Sequence, residues 1–113
     1  MQHTMRLREA PFRMIQSGAK RYELRLWDEK RQQLRVGDEI LFLCGEERLA
    51  VEILRLLRFP SFQALYGALP LCELGYEEGD TNGSWEDMRA YYPAEEEARH
   101  GVLAIELKLK SGA

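Results

Sequence analysis

The stretch Gly18-Ala19-Lys20-Arg21-Tyr22-Glu23-Leu24-Arg25-Leu26 decides how this 113-residue chain is read. Gly18 suits the left-handed end of a short helix whose Phe12 and Ile15 lie three apart on one apolar stripe. A strand then begins. Strand side chains alternate between faces, so Tyr22, Leu24 and Leu26 share a core face while Arg21, Glu23 and Arg25 share the other. Lys20 can reach in from the strand's start. The spacing sets a carboxylate among cations. Such a cluster binds a phosphate or a polar heterocycle, or it forms a solvated salt-bridge ladder of little energetic weight.

Outward from this strand, the pattern on the N-terminal side is simple. Met5 and Leu7 predict a first strand over residues 3–8, and Pro11 fits the first turn of the helix, where its missing N–H costs nothing. On the C-terminal side, residues 28–35 form a charged connection, and Val36-Gly37-Asp38 a turn. Residues 39–44 read as a strand, 45–48 as a hairpin loop and 49–59 as a long return strand. Its alternation fails at Leu56 and Leu57, which predicts a bulge. Ser61 is placed to cap a helix over 62–69 that Pro70 ends. Residues 75–84, rich in Gly, Asp, Asn and Glu, read as a mobile loop, and Ser84 as the cap of a helix with Trp85, Met88 and Tyr92 on its apolar face. In the next helix, Glu95, Glu96 and Glu97 read as a solvated face. Residues 102–109 alternate as an edge or half-buried strand, and 111–113 form a tail. The order β-α-β-β-β-α-α-β gives an α+β class: a small curved sheet or barrel with flanking helices.

Composition narrows the function classes. The length fits a single domain spanning 1–113, and the 45% hydrophobic fraction supplies a core. No apolar run approaches the roughly 20 residues that cross a bilayer, and the first ten residues lack the apolar core of a signal peptide, so a cytoplasmic location with no membrane partner is expected. Cys44 and Cys72 are expected to be reduced, with Cys44 a buried thiol. Neither pairs with His3 or His100 at metal-ligand spacing, so neither a metal nor a cofactor is expected. Net charge is −3, but its sign is uneven. Residues 1–58 hold twelve Lys/Arg against nine Asp/Glu, and residues 59–113 hold four against ten. The acidic second half argues against duplex DNA. A local basic cleft remains available to Arg6, Arg8, Arg13, Lys20, Arg21 and Arg25.

The order of these signals is distinctive. His3-x-Met5-x-Leu7 leads to Pro11-Phe12 and Ser17-Gly18, then to Lys20-x-x-Glu23-x-Arg25-Leu26 and Val36-Gly37-Asp38. Later come Phe59-Pro60-Ser61-Phe62, Tyr91-Tyr92-Pro93-Ala94-Glu95-Glu96-Glu97 and Gly101-Val102-Leu103-Ala104-Ile105-Glu106. From His3 to about Leu107 this resembles the ASCH domain family, a branch of the PUA-like superfamily. The resemblance implies a small PUA-like barrel, antiparallel or mixed, with helices at its rim and a cleft floored by the Lys-x-x-Glu-x-Arg strand. It also implies the handling of RNA or modified nucleosides. Some ASCH proteins resemble RNA-binding or RNA-cleaving proteins, and one branch removes the acetyl group of N4-acetylcytidine. That branch has a lysine at the position of Lys20 and a threonine three residues later. Here Glu23 takes the threonine's place, and a carboxylate cannot attack as a deprotonated hydroxyl does.

The candidate ligand-binding residues are therefore Lys20, Glu23, Arg25, Tyr91 and Arg6. Arg25 offers a planar fork of donors for a phosphate or carbonyl edge, and Glu23 an acceptor for an exocyclic amine. Tyr91 is the candidate stacker, since Trp85, Met88 and Tyr92 fit a core stripe, and Arg6 is placed for a phosphate contact. Lys20 and Glu23 are also the candidate catalytic pair. Lys20 acts as a base only if it gives up its proton near neutral pH, which burial and Arg25 favour and Glu23 opposes. The leading expectation is a module binding RNA or a nucleotide- or nucleoside-like ligand. The alternative is a small hydrolase using Lys20, either an amidohydrolase on N4-acetylcytidine or a single-strand ribonuclease.

Overall fold

The computed structural model describes residues 1–77, 80 and 83–110. The centre of the expected 75–84 loop and the 111–113 tail lie outside the described residues. Five strands, β1 (Gln2–Arg6), β2 (Tyr22–Leu26), β3 (Glu39–Cys44), β4 (Glu47–Phe59) and β5 (Val102–Leu109), build one strongly curled half-barrel among the described residues. Its order is β1-β3-β4-β5-β2. β1 runs parallel to β3, with Gln2 opposite Glu39 and Arg6 opposite Leu43, and the other pairings are antiparallel. Three α-helices flank the sheet: α1 (Glu9–Ser17), α2 (Phe62–Ala68) and α3 (Ala94–His100). Single 3-10 segments occupy Arg31–Gln33, Leu71–Leu74 and Trp85–Ala90. None of the described helices is long and apolar enough to cross a membrane.

The core has two parts, one on each face of the sheet. Phe12 and Ile15 of α1 pack with Ile40, Phe42, Val51, Ile53, Leu103 and Ile105 on one side. Tyr22, Leu24 and Leu26 pack with Phe62, Leu65, Met88, Val102 and Ala104 on the other. The expected edge position of the last strand is thereby corrected. β5 lies between β4 and β2, and its first four residues are all buried, because α1 packs into the core on one face and α2 into the core on the other. Its alternating sequence reflects two different cores rather than one core and water.

The bulge falls three residues before Leu57. Ile53 pairs with Leu107 and Arg55 with Glu106, leaving Leu54 as the extra residue. Beyond it the inward positions change parity, so Leu56 joins the α1 side and Leu57 the α2 side. Ser61 caps α2 by accepting from Ala64 N–H. Ser84 and Asp87 form a reciprocal capping box, but the segment that follows is 3-10 rather than α and ends at Ala90. Cys44 is half-buried rather than buried, Cys72 is exposed, and both are free thiols.

Two further expectations change. Arg21 precedes β2, and its exposed guanidinium pairs with Glu73 3.4 Å away, so it does not share the Glu23–Arg25 cluster. Glu97 is not solvated but 5% exposed. It accepts from Phe62 N–H at 2.6 Å and pairs with Arg89 Nη1 at 2.6 Å, tying α3 to the start of α2 and to the Trp85–Ala90 turn.

Candidate ligand cleft

The strand order leaves β1 and β2 as the two edges of the half-barrel. Helix α1 joins them in sequence, and the charged cluster sits where they approach. Gly18, at φ 87°, ends α1 with its N–H on Ile15 O, and the chain then turns so that Lys20 N–H reaches Met14 O at 3.0 Å. Arg21 N–H donates to Glu73 O at 2.8 Å, which fixes the entry to β2. Within β2, Glu23 stands opposite Ile105 and Arg25 opposite Leu103, on the face of the α1-side core.

A carboxylate at the rim of an apolar core needs partners, since burying it unpaired is costly. Glu23 is 4% exposed, and it has two. Its Oε1 lies 3.2 Å from Lys20 Nζ, and its Oε2 accepts from Arg25 Nε at 2.9 Å, with Arg25 Nη2 at 2.8 Å. Arg25 Nη2 also donates to Arg6 O at 3.2 Å, bridging from β2 to the end of β1. This fork satisfies a strand-edge carbonyl and a buried acid together, which a lysine at position 25 could not do with the same rigidity. Lys20 and Arg25 keep 13% and 15% of their side chains exposed.

A cleft of about 430 Å³ opens beside this cluster. It brings together all five candidate ligand-binding residues: Lys20, Glu23, Arg25, Arg6 and Tyr91. Tyr91 is half exposed, and the guanidinium carbon of Arg8 lies 4.9 Å from its ring centre. Trp85, Met88 and Tyr92 belong to the α2-side core, with Tyr92 stacked on Phe62 at 5.8 Å between ring centres. Of the six residues expected to build a basic cleft, Arg6, Arg8, Lys20 and Arg25 line it. Arg13 instead pairs with Glu47, and Arg21 with Glu73.

The cleft is also lined by residues that sequence reasoning did not single out: Tyr66, Tyr76 and Asp87. Tyr76 O–H donates to Asp87 Oδ2 at 2.7 Å, and the Tyr66 and Tyr76 oxygens are 3.0 Å apart. Burial, then the hydrogen bonds to Tyr66 and Asp87, push the Tyr76 phenol far above its ordinary range, and burial pushes the Tyr66 phenol up as well. Both remain neutral hydroxyls at physiological pH. Nothing in the sequence marks these two tyrosines, because one lies on the stripe of α2 and the other in a loop. Only the fold makes them neighbours.

Gly75 ties the Tyr76 segment to the Lys20 segment. Its φ is +107°, and a Cβ there would lie 3.1 Å from Met14 Sδ and 3.3 Å from Lys20 Cδ. The residue before Tyr76 therefore rests on the stem of Lys20, and a side chain at position 75 would crowd it.

Comparison with known proteins gives the family of the fold. A search of curated proteins gives no match. The crystal structure of hypothetical protein PH0355 is similar over 97% of this chain and 100% of its own, at 31% identity and a TM-score of 0.83. The solution structure of protein PF0455 from Pyrococcus furiosus is similar over 98% of this chain and 99% of its own, at 31% identity and a TM-score of 0.72. The ASCH domain pattern matches residues 5–111, from β1 through the last strand, and the chain belongs to the ASCH domain family.

Proposed function

We propose that the cleft binds single-stranded RNA or a nucleotide- or nucleoside-like ligand. The observation that carries this reading is the buried Glu23 carboxylate holding Lys20 and Arg25 side by side at the wall of an open cavity. A volume of about 430 Å³ falls within the roughly 300–1,000 Å³ of small-molecule sites. Four cations line it against two carboxylates, Glu23 and Asp87, so it favours a ligand with an anionic or carbonyl-rich edge. Lys20 and Arg25 donate to that edge. Glu23 orients both donors, and its remaining lone pairs can accept from an amine. Arg6 reaches a phosphate, and Tyr91 offers a ring face to a base.

Binding is favoured over hydrolysis for two reasons. Lys20 is engaged by a carboxylate at 3.2 Å, which suits a charged donor better than a base. Position 23 carries no hydroxyl nucleophile.

Titration of isotope-labelled protein with nucleotides and short single-stranded RNA tests the reading. Resonances of Lys20, Glu23, Arg25, Arg6 and Tyr91 should shift together and saturate, and Arg25→Ala should weaken the binding. Absence of any shift at these residues refutes it. Turnover of N4-acetylcytidine or of RNA that disappears in Lys20→Ala would put hydrolysis ahead of binding.

A further inference from the structure

We infer that Tyr66, Tyr76 and Asp87 form an acceptor wall that selects ligands presenting a hydrogen-bond donor, namely an exocyclic amine on a nucleobase, over their keto counterparts. The inference rests on the proposed binding of nucleotide-like ligands and deepens it.

The direction of the hydrogen bonds carries the argument. The Asp87 carboxylate only accepts, so the 2.7 Å contact fixes the Tyr76 proton on the Asp87 side. Ser84 O, 3.3 Å from the same hydroxyl, is a second acceptor and reinforces that direction. With its own proton committed, the Tyr76 oxygen can only accept at the 3.0 Å contact, so Tyr66 donates to it. The Tyr66 oxygen is thereby left with lone pairs and no proton to offer. Asp87 is itself held in place, because its Oδ2 also receives Ser84 N–H as part of the capping box. The wall is therefore polarised from one end to the other.

The four cations of the lining have the reverse polarity. Lys20, Arg25, Arg6 and Arg8 supply donors, and Gly75, the residue before Tyr76, lies against the Lys20 stem. A ligand in the cleft meets donors from these cations and acceptors from Tyr66 and Asp87. Cytosine and adenine carry an amine that can face acceptors, whereas uracil and hypoxanthine place a carbonyl oxygen there. Two acceptors facing each other leave both without a partner, and a site that hydrogen-bonds its ligand rejects the analogue lacking the group.

Affinities for cytidine and uridine 5′-monophosphate, measured by calorimetry, test the inference. The cytidine nucleotide should bind about tenfold more tightly than the uridine one, the scale of one lost hydrogen bond. Tyr66→Phe should reduce that ratio to about one. Asp87→Asn, which keeps a capping side chain and adds an amide donor, should also narrow the ratio. Amide spectra of both variants establish that they fold. Equal affinity for the two nucleotides overturns the inference while the binding reading stands. So does a ratio that survives Tyr66→Phe in a folded variant. Failure of every nucleotide to bind removes both.

Discussion

Replacing Glu97 with alanine tests whether a buried acid holds the helical side of this domain together. Glu97 is 5% exposed, and its Oε2 takes the N–H of Phe62, the first residue of α2. That N–H is one of the four that a helix start leaves without an internal partner, and Ser61 serves Ala64 instead. Phe62 is fully buried, so water cannot replace the carboxylate without opening the core. A hydrogen bond to a charged group contributes about 1.5–3 kcal/mol, and an orphaned buried donor costs about the same. The Arg89 side of the pair adds little, because Arg89 is 36% exposed and can return to water. The expected loss is about 3 kcal/mol. At about 2.1 cal/mol/K per residue, a chain of 113 residues loses about 13 °C of Tm. Glu97→Gln keeps an oxygen for Phe62 but loses the charge, and should cost about 1 kcal/mol. Urea and thermal unfolding of the three proteins measure this directly. An alanine variant within about 1 kcal/mol of the parent, or a glutamine variant as damaged as the alanine one, would refute the reasoning.

The same structure sets two further expectations. Gly75→Ala should destabilise the fold by about 1–2 kcal/mol, the cost of a left-handed backbone at an alanine, and its Cβ should displace Lys20; denaturation reads the first effect and the Lys20 resonances the second. The Glu106 carboxyl is held below its ordinary value, first by the Arg55 hydrogen bond and then by Tyr22. Its contribution is therefore present above the unfolded carboxylate value, near pH 4.3, and is lost as pH falls through the lower folded value. Glu106→Gln should flatten the fall of the urea midpoint between about pH 5 and pH 3, and an unchanged slope would contradict the assignment.

Several elements were legible because their signals are local. The Gly18 stop, the Ser61 cap and the alternation of residues 22–26 depend on neighbours within a few positions, and the structure has all three. The Lys20–Glu23–Arg25 cluster was legible for the same reason, since its spacing of three and two residues fits the entry to one strand. Glu97 misled because a run of three acids normally marks a wetted surface. Here the third one turns inward to a helix start 35 residues away, a partner that no local pattern reveals. Residues 102–109 misled in the same way: alternation reports that the two faces differ, and here they differ by facing two separate cores.

The sequence by itself determined the kind of elements, their order and the charged strand, because backbone preferences and side-chain periodicity act over a few residues. The tertiary structure alone decided which strand is central, which cations stay at the cleft and which are drawn off to Glu47 and Glu73. It also decided that Tyr66, Tyr76 and Asp87 meet in the same cleft as Lys20. Those outcomes follow from how the sheet curls and what each face must bury, and they depend on residues far apart in the chain.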